Sequence, residues 1–337
     1  MFTGAARAAA ARVPAFQLSD SSVKERPEVE SRAPGEVHTR GRASLRTASL
    51  EELLDAAEEF GLNARTEELS NAMRSSVRLS PIVSTTATRT GAASFGGPAA
   101  LPRGVGWPHW RGRPLTLLAQ VDLGELATAG LPLSGRDKLL FFFDTSVVPS
   151  GLDPAHDGSG CVLHVAEAEP DQAETAADGP ALPTRPYVGH ASVELVIPRV
   201  WSAKVDALDL TADERVGWEL LRQRLAGMQD TELTDAVTSS LHIVHRVFGY
   251  ADHTGGDMPL ICELCASGYR VPESPPLMHP KAAELEPQSG RWELLAQFSA
   301  DHELGWSWGT SAERLYFWID RNALAAGDFS NIWTITR

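Results

Sequence analysis

The sequence predicts an α+β fold in which a strand-rich unit is used twice and flanked by helices. Three observations predict it. Strand and helix signals alternate irregularly; the apolar runs are short and continuous, as in strands covered on both faces; and one of them, Leu-Leu-Ala-Gln, occurs twice, at 117–120 and 294–297. A doubly wound α/β sheet would demand a regular strand–helix rhythm instead.

In chain order, residues 1–46 carry scattered Arg, Glu, Ser, Pro and Gly with no apolar period, so a disordered tail is expected, followed by a single domain over 47–337. Arg7 and Arg12 interrupt what would be the apolar core of a secretion signal. Ser49 and Glu52 have capping-box spacing ahead of Leu50, Leu53, Leu54, Ala57 and Phe60 on one helical stripe, and Gly61 closes it. A second short helix is expected over Glu67–Arg74. The Gly- and Pro-rich segment from Phe95 to Arg113 reads as an ordered loop anchored by Trp107 and Trp110.

LTLLAQVDL, KLLFFFD, CVLHVAE and SVELVIP follow as strands, completing a first half over about 80–200. A helical connection is expected over about 201–240. It opens with a Thr211/Glu214 capping box and a stripe of Val216, Leu220, Leu221 and Leu225, and continues with a further helix near Thr231–Ser239. The second half, about 241–337, offers HRVFGY, WELLAQFSA, ERLYFWID and a closing helix over Asn322–Ala326.

The doubled motif has neighbours in matching order. Gln120 lies 24 residues before Asp144 at the end of LLFFFD, and Gln297 lies 23 before Asp320 at the end of LYFWID. Upstream, Phe95-Gly96-Gly97-Pro98 matches Phe248-Gly249-Tyr250-Ala251. Shared order and spacing imply an internal duplication and a pseudo-symmetric domain. With FGGPAALPRGVGWP, HRVFGY and GGDM, these motifs resemble the YwqG-like family, a bacterial domain of unknown function (DUF1963), over roughly residues 75–335. The resemblance implies a duplicated α+β protein and supplies no activity, cofactor or catalytic residue.

The formal net charge of −14, from 44 acidic and 30 basic side chains, disfavours nucleic acid and anionic membrane and suits a basic protein partner. Three cysteines give no disulfide framework and fit a cytoplasmic, reducing setting. No apolar run is long enough to span a membrane. Cys262 and Cys265 are spaced for packing on one helix face. His242, His245, His253, Asp252 and Asp257 are suitable metal ligands in type, but their spacing matches no metal signature, so no metal and no cofactor is expected. Asp144 and Asp320 read as turn or helix caps.

Three functional expectations follow. The first is a non-enzymatic protein-binding module with an acidic surface, an immunity- or antitoxin-like protein being one form of it. The second is a small-ligand-binding protein or enzyme using a cleft between the repeats, lined by Gln120, Gln297, His245, His253, Asp257, Trp306 and Trp308. The third is a structural or regulatory domain with no ligand site.

Overall fold

Helix α1 (Leu50–Glu59) buries Leu53, Ala56 and Ala57, and Gly61 closes it at φ 73°. The computed structural model describes residues 50–82, 92–102, 104–124, 137–165, 173–176, 179–184, 187–227, 243–252, 257–272, 275–310 and 312–337. The expected tail, Ser49 and the expected helix near Thr231–Ser239 therefore lie outside the described residues. After α1 come α2 (Thr66–Ala72), β1 (Arg74–Ile82), β2 (Ala93–Phe95), β3 (Ala99–Pro102), β4 (His109–Trp110), β5 (Arg113–Pro114) and β6 (Thr116–Asp122). Next are β7 (Lys138–Phe143), β8 (Gly160–Val165), β9 (Ala173–Ala176), β10 (Tyr187–Val196), α3 (Ala203–Asp206) and α4 (Ala212–Gly227). The rest of the chain forms β11 (His245–Val247), α5 (Met258–Ala266), α6 (Ala282–Ser289), β12 (Trp292–Ser299), β13 (Arg314–Asp320), α7 (Arg321–Ala326) and β14 (Ile332–Thr336).

Among the described residues ten strands make one antiparallel sheet in the order β14-β13-β12-β11-β1-β10-β2-β6-β7-β8. The sheet curls until its two end strands meet: Thr336 donates its N–H to Ser150 O at 3.2 Å, and the Ser159 and Thr334 hydroxyls lie 3.3 Å apart. The result is a strand-rich, nearly closed barrel with helices outside, an α+β architecture. Among the described residues no helix is long and apolar enough to cross a membrane.

Alternation along the strands sorts the side chains. Val77, Leu79, Phe95, Phe141, Phe143, Val193, Val247, Phe298 and Phe317 fill the interior. The outer face is covered in patches. Helices α5 and α6 lie over Leu294, Tyr316 and Trp318, while the β3–β9 ribbon and its loops lie over Leu117, Leu140 and Phe142. Cover on both sides explains why all eight residues of β12 are buried. Helices α1 and α4 form a further cluster around Trp218 beside β10.

The two arms of the sheet run in the same order outward from the centre: β2-β6-β7-β8 on one side, β11-β12-β13-β14 on the other. Each carries a β-bulge at the same place in its motif, between Leu117 and Ala119 against β7 and between Leu294 and Ala296 against β13. The carbonyl of each bulged leucine accepts a turn N–H, Leu118 O from Gly96 at 2.8 Å and Leu295 O from Phe248 at 2.9 Å. Phe95 pairs with Ala119, and Val247 pairs with Ala296. The sequence alignment of the two turns is thus one residue off: Gly96 corresponds to Phe248 and Gly97 to Gly249. All four are left-handed, with φ of 61°, 62°, 74° and 79°. Phe248 tolerates a conformation that favours glycine because the bulge carbonyl fixes its N–H and its ring is buried in the core.

Three local expectations need correction. The helix expected over Glu67–Arg74 stops at Ala72, and Arg74 opens β1, whose pairing with both β10 and β11 outweighs local helix propensity. The segment from Phe95 to Arg113 holds β3 and β4 as well as loop. On α4 the capping box forms, with Thr211 N–H to Glu214 at 2.8 Å, but the buried stripe is Trp218, Leu221 and Leu225. Val216 and Leu220 are exposed because the Trp218 indole, hydrogen-bonded to Pro198 O at 2.8 Å, sets the inward face.

Candidate functional site

Gln120 and Gln297 occupy the same place in their arms and have different surroundings. Gln120 donates to Pro98 O at 3.2 Å. Gln297, fully buried, grips one residue twice: its carbonyl accepts the Asp252 N–H and its amide donates to the Asp252 carboxylate, each at 3.0 Å. Four strands separate β6 from β12, so the two amides do not face each other.

Asp252 is the hub of an ionic network on the outer face of the second arm. Cross-strand pairing aligns Tyr316, Gln297, Arg246 and Arg78 in one row. The directly opposed cations Arg246 and Arg78 would repel, but Glu194 on β10 takes both, at 3.0 and 2.7 Å. Arg246 also bonds Asp252 at 2.8 Å. From α4, Arg222 holds Glu219 at 2.6 Å and stands 3.7 Å from Asp252. Arg314, at the start of β13, donates to Asp252 O at 3.3 Å.

The electrostatics follow from burial and neighbours. Burial alone would push the Asp252 carboxyl up, yet Arg246, Arg222 and Gln297 hold it below the usual carboxylate range. Burial works against the charge on Arg246, and Asp252 and Glu194 overcome it. Arg199, in the segment after β10, differs. Burial, then the like charges of Arg222 and Arg314, lower it against the pull of Asp252 and Glu219, and its Nε is buried without a hydrogen-bond partner.

The remaining expected site residues are placed elsewhere. Alternation on β11 sends Arg246 outward and His245 into the barrel, where its Nε2 meets Asp301 at 3.1 Å and its ring packs edge-on against Trp306 at 5.1 Å. Trp306 and Trp308 are buried there too, their indole N–H groups bonded to Leu182 O and Phe298 O. Asp257 precedes α5 on the other side of the second arm, its carboxyl pushed up by burial and by Glu286. His253 lies outside the described residues. The structure thus joins His245, Trp306 and Trp308 in the interior and leaves Gln120, Gln297 and Asp257 apart from them.

Asp144 and Asp320 are caps. Asp144 accepts from Ser146 and Val147, and Asp320 from Asn322 and Ala323 at the start of α7. Cys262 and Cys265 are buried free thiols on α5. Among the described residues no group of three or more His, Cys, Asp or Glu could hold a metal ion.

The sequence reading overlooked Arg78, Glu194, Arg199, Arg222, Arg246 and Arg314. A signal did exist: charges embedded in the apolar runs RSSVRLS, SVELV and HRV must be paired if those runs are buried strands.

Residues 93–337 match the family described as "Domain of unknown function (DUF1963)". The chain belongs to this family. The family match begins at β2, so β1 with Arg78 precedes it, while the other residues of the ionic network fall within it. A search of curated proteins finds no match.

Proposed function

We propose that this DUF1963 chain is a small-ligand-binding protein of the YwqG-like kind, built by duplication of a strand-rich unit, with its site on the outer face of the second arm beneath α4. The shared strand order, the matched bulges and the matched left-handed turns support the duplication. One observation carries the functional reading. The register that equates the arms puts Leu140, Ser94 and Val188 where the second arm has Tyr316, Arg246 and Arg78. The first arm builds the same bulge and turn without a charge at those positions, so the network answers a need other than folding. Buried ion pairs rarely repay their desolvation in stability, which fits that reading.

The test is a thermal-shift screen of small molecules against the wild type and Arg222→Gln. The expected result is a ligand that raises the melting temperature of the wild type and leaves the variant unmoved. If every stabilising compound acts equally on both, the second-arm site is lost.

A second reading, a protein-binding module, is favoured by exposed Trp201 (69 %) and Val216 (60 %) together with the net charge of −14. A basic partner in a cytoplasmic setting, such as a toxin domain met by its immunity protein, suits that surface. Under this reading Trp201→Ser abolishes capture of the partner at low salt and leaves ligand-induced stabilisation intact.

A further inference from the structure

Resting on the second-arm site proposed above, the inference concerns what the ligand must be. Around Asp252 and Glu194 stand five arginines, Arg78, Arg199, Arg222, Arg246 and Arg314, against four carboxylates, Glu194, Glu219, Asp252 and Glu313. Four of the five hold the network together: Arg78 and Arg246 share Glu194, Arg222 holds Glu219, and Arg314 takes the Asp252 carbonyl. Arg199 has no ion pair and no side-chain hydrogen bond among the described residues, although it is half-buried and its Nε is sealed from solvent. A guanidinium carries five donors in a rigid fork, and leaving one unanswered beside two like charges is costly. In a chain whose net charge is −14, such a local cationic surplus is the reverse of what a generally acidic surface would produce.

We infer that the ligand carries an oxyanion group, phosphate or carboxylate, and that Arg199 with Arg222 receives it above Asp252. The arrangement explains why the four carboxylates do not repel such a group: each is already engaged by an arginine, so the charge that faces the incoming group is the unmatched one. Forked N–H donors match the paired oxygens of either anion. The remaining ligand contacts come from the outer face of the second arm and from α4.

The experiment compares wild type, Arg199→Met and Arg199→Lys by thermal melting in chloride, phosphate and acetate buffers of equal ionic strength, with glucose and spermidine as neutral and cationic probes. In chloride, Arg199→Met melts at or above the wild-type temperature, because a charge crowded by Arg222 and Arg314 has been removed. Phosphate or acetate raises the wild type by about 4 °C or more if present at roughly fifty times its Kd. Arg199→Met loses that increment and Arg199→Lys keeps part of it. General salt effects act on all three proteins alike and cancel in the comparison.

Phosphate alone acting assigns a phosphoryl group, and acetate alone a carboxylate. Two outcomes overturn the inference: Arg199→Met melting below the wild type in chloride, which makes Arg199 a structural cation, or equal anion increments in all three proteins. The ligand reading itself is separable. If glucose or spermidine stabilises through Arg222, the second-arm site stands without an oxyanion; if no probe of any class acts through Arg222, both fall.

Discussion

The two arms of the sheet share a backbone and differ in chemistry. Both bulge at the leucine before Ala-Gln, and both turn through two left-handed residues whose first N–H caps the bulge. Around Gln120 the first arm sets Leu140, Phe142 and the β3–β9 ribbon. Around Gln297 the second arm sets Asp252, Arg246 and Tyr316. The difference teaches that the glutamine belongs to the irregularity of the backbone, while the ionic network gathers where the second arm meets β1, β10 and α4.

Breaking the comparison most strongly should be Arg246→Ala, which leaves Glu194, 1 % exposed, and Asp252 each short of a partner. A loss of about 3–5 kcal/mol is expected, against less than about 1 kcal/mol for Ser94→Ala at the corresponding position. Urea unfolding of both variants measures it, and comparable losses would mean that the network is not specific to the second arm.

Next in size is the glutamine pair. Gln297→Ala strands the Asp252 N–H and one carboxylate contact inside the protein, for about 2–3 kcal/mol, whereas Gln120→Ala gives up one bond to Pro98, for about 1 kcal/mol. Equal midpoint shifts in the same titration would contradict the unequal roles.

A smaller effect separates the interior of the two arms. His245 faces the core where the first arm has Ala93, and burial, only partly offset by Asp301, lowers its pKa while Arg78 adds to the lowering. The unfolded chain therefore binds the proton more readily. The contribution is complete above the ordinary histidine pKa near 6.5 and is lost as pH falls below it, with a slope of at most about 1.4 kcal/mol per pH unit. Stability measured from pH 7 to 5 should decline in the wild type and flatten in His245→Phe; an unchanged slope would exclude His245 as the cause.

The smallest effect is chemical. Burial pushes the Cys265 thiol to about 12 and that of Cys161 to about 11, and Cys262 is raised as well. A thiol-reactive dye should label the native protein slowly and take up three equivalents after denaturation. Rapid native labelling of Cys262 or Cys265 would show that α5 opens readily.

Much of this fold can be read in the sequence because it depends on local signals. Continuous apolar runs gave β6, β7, β12 and β13, the Thr211/Glu214 spacing gave the start of α4, and the Asp320 cap gave α7. The central strand β1 was not legible: Arg74-Ser-Ser-Val-Arg-Leu-Ser has only alternate apolar residues, and its pairing partners are about 110 and 170 residues away. The candidate site failed for the same reason. Its charges come from β1, β10, α4, β11 and β13, and no spacing along the chain brings Arg199 near Arg222 and Arg314. The matched glutamines lie where the two arms agree, while the ionic network lies where they differ.

The closure between β8 and β14 has a consequence of its own. Every other neighbouring pair in the sheet is joined by a ladder, but here the ends meet through a hydroxyl contact, the Thr336–Ser150 bond and the Trp333 indole on Gly151 O at 2.9 Å. Such a closure behaves as a zip rather than a weld. Hydrogen exchange should find the seam-facing amides of β14 the first of the barrel to take up deuterium, while those of β1, held on both sides, are the last.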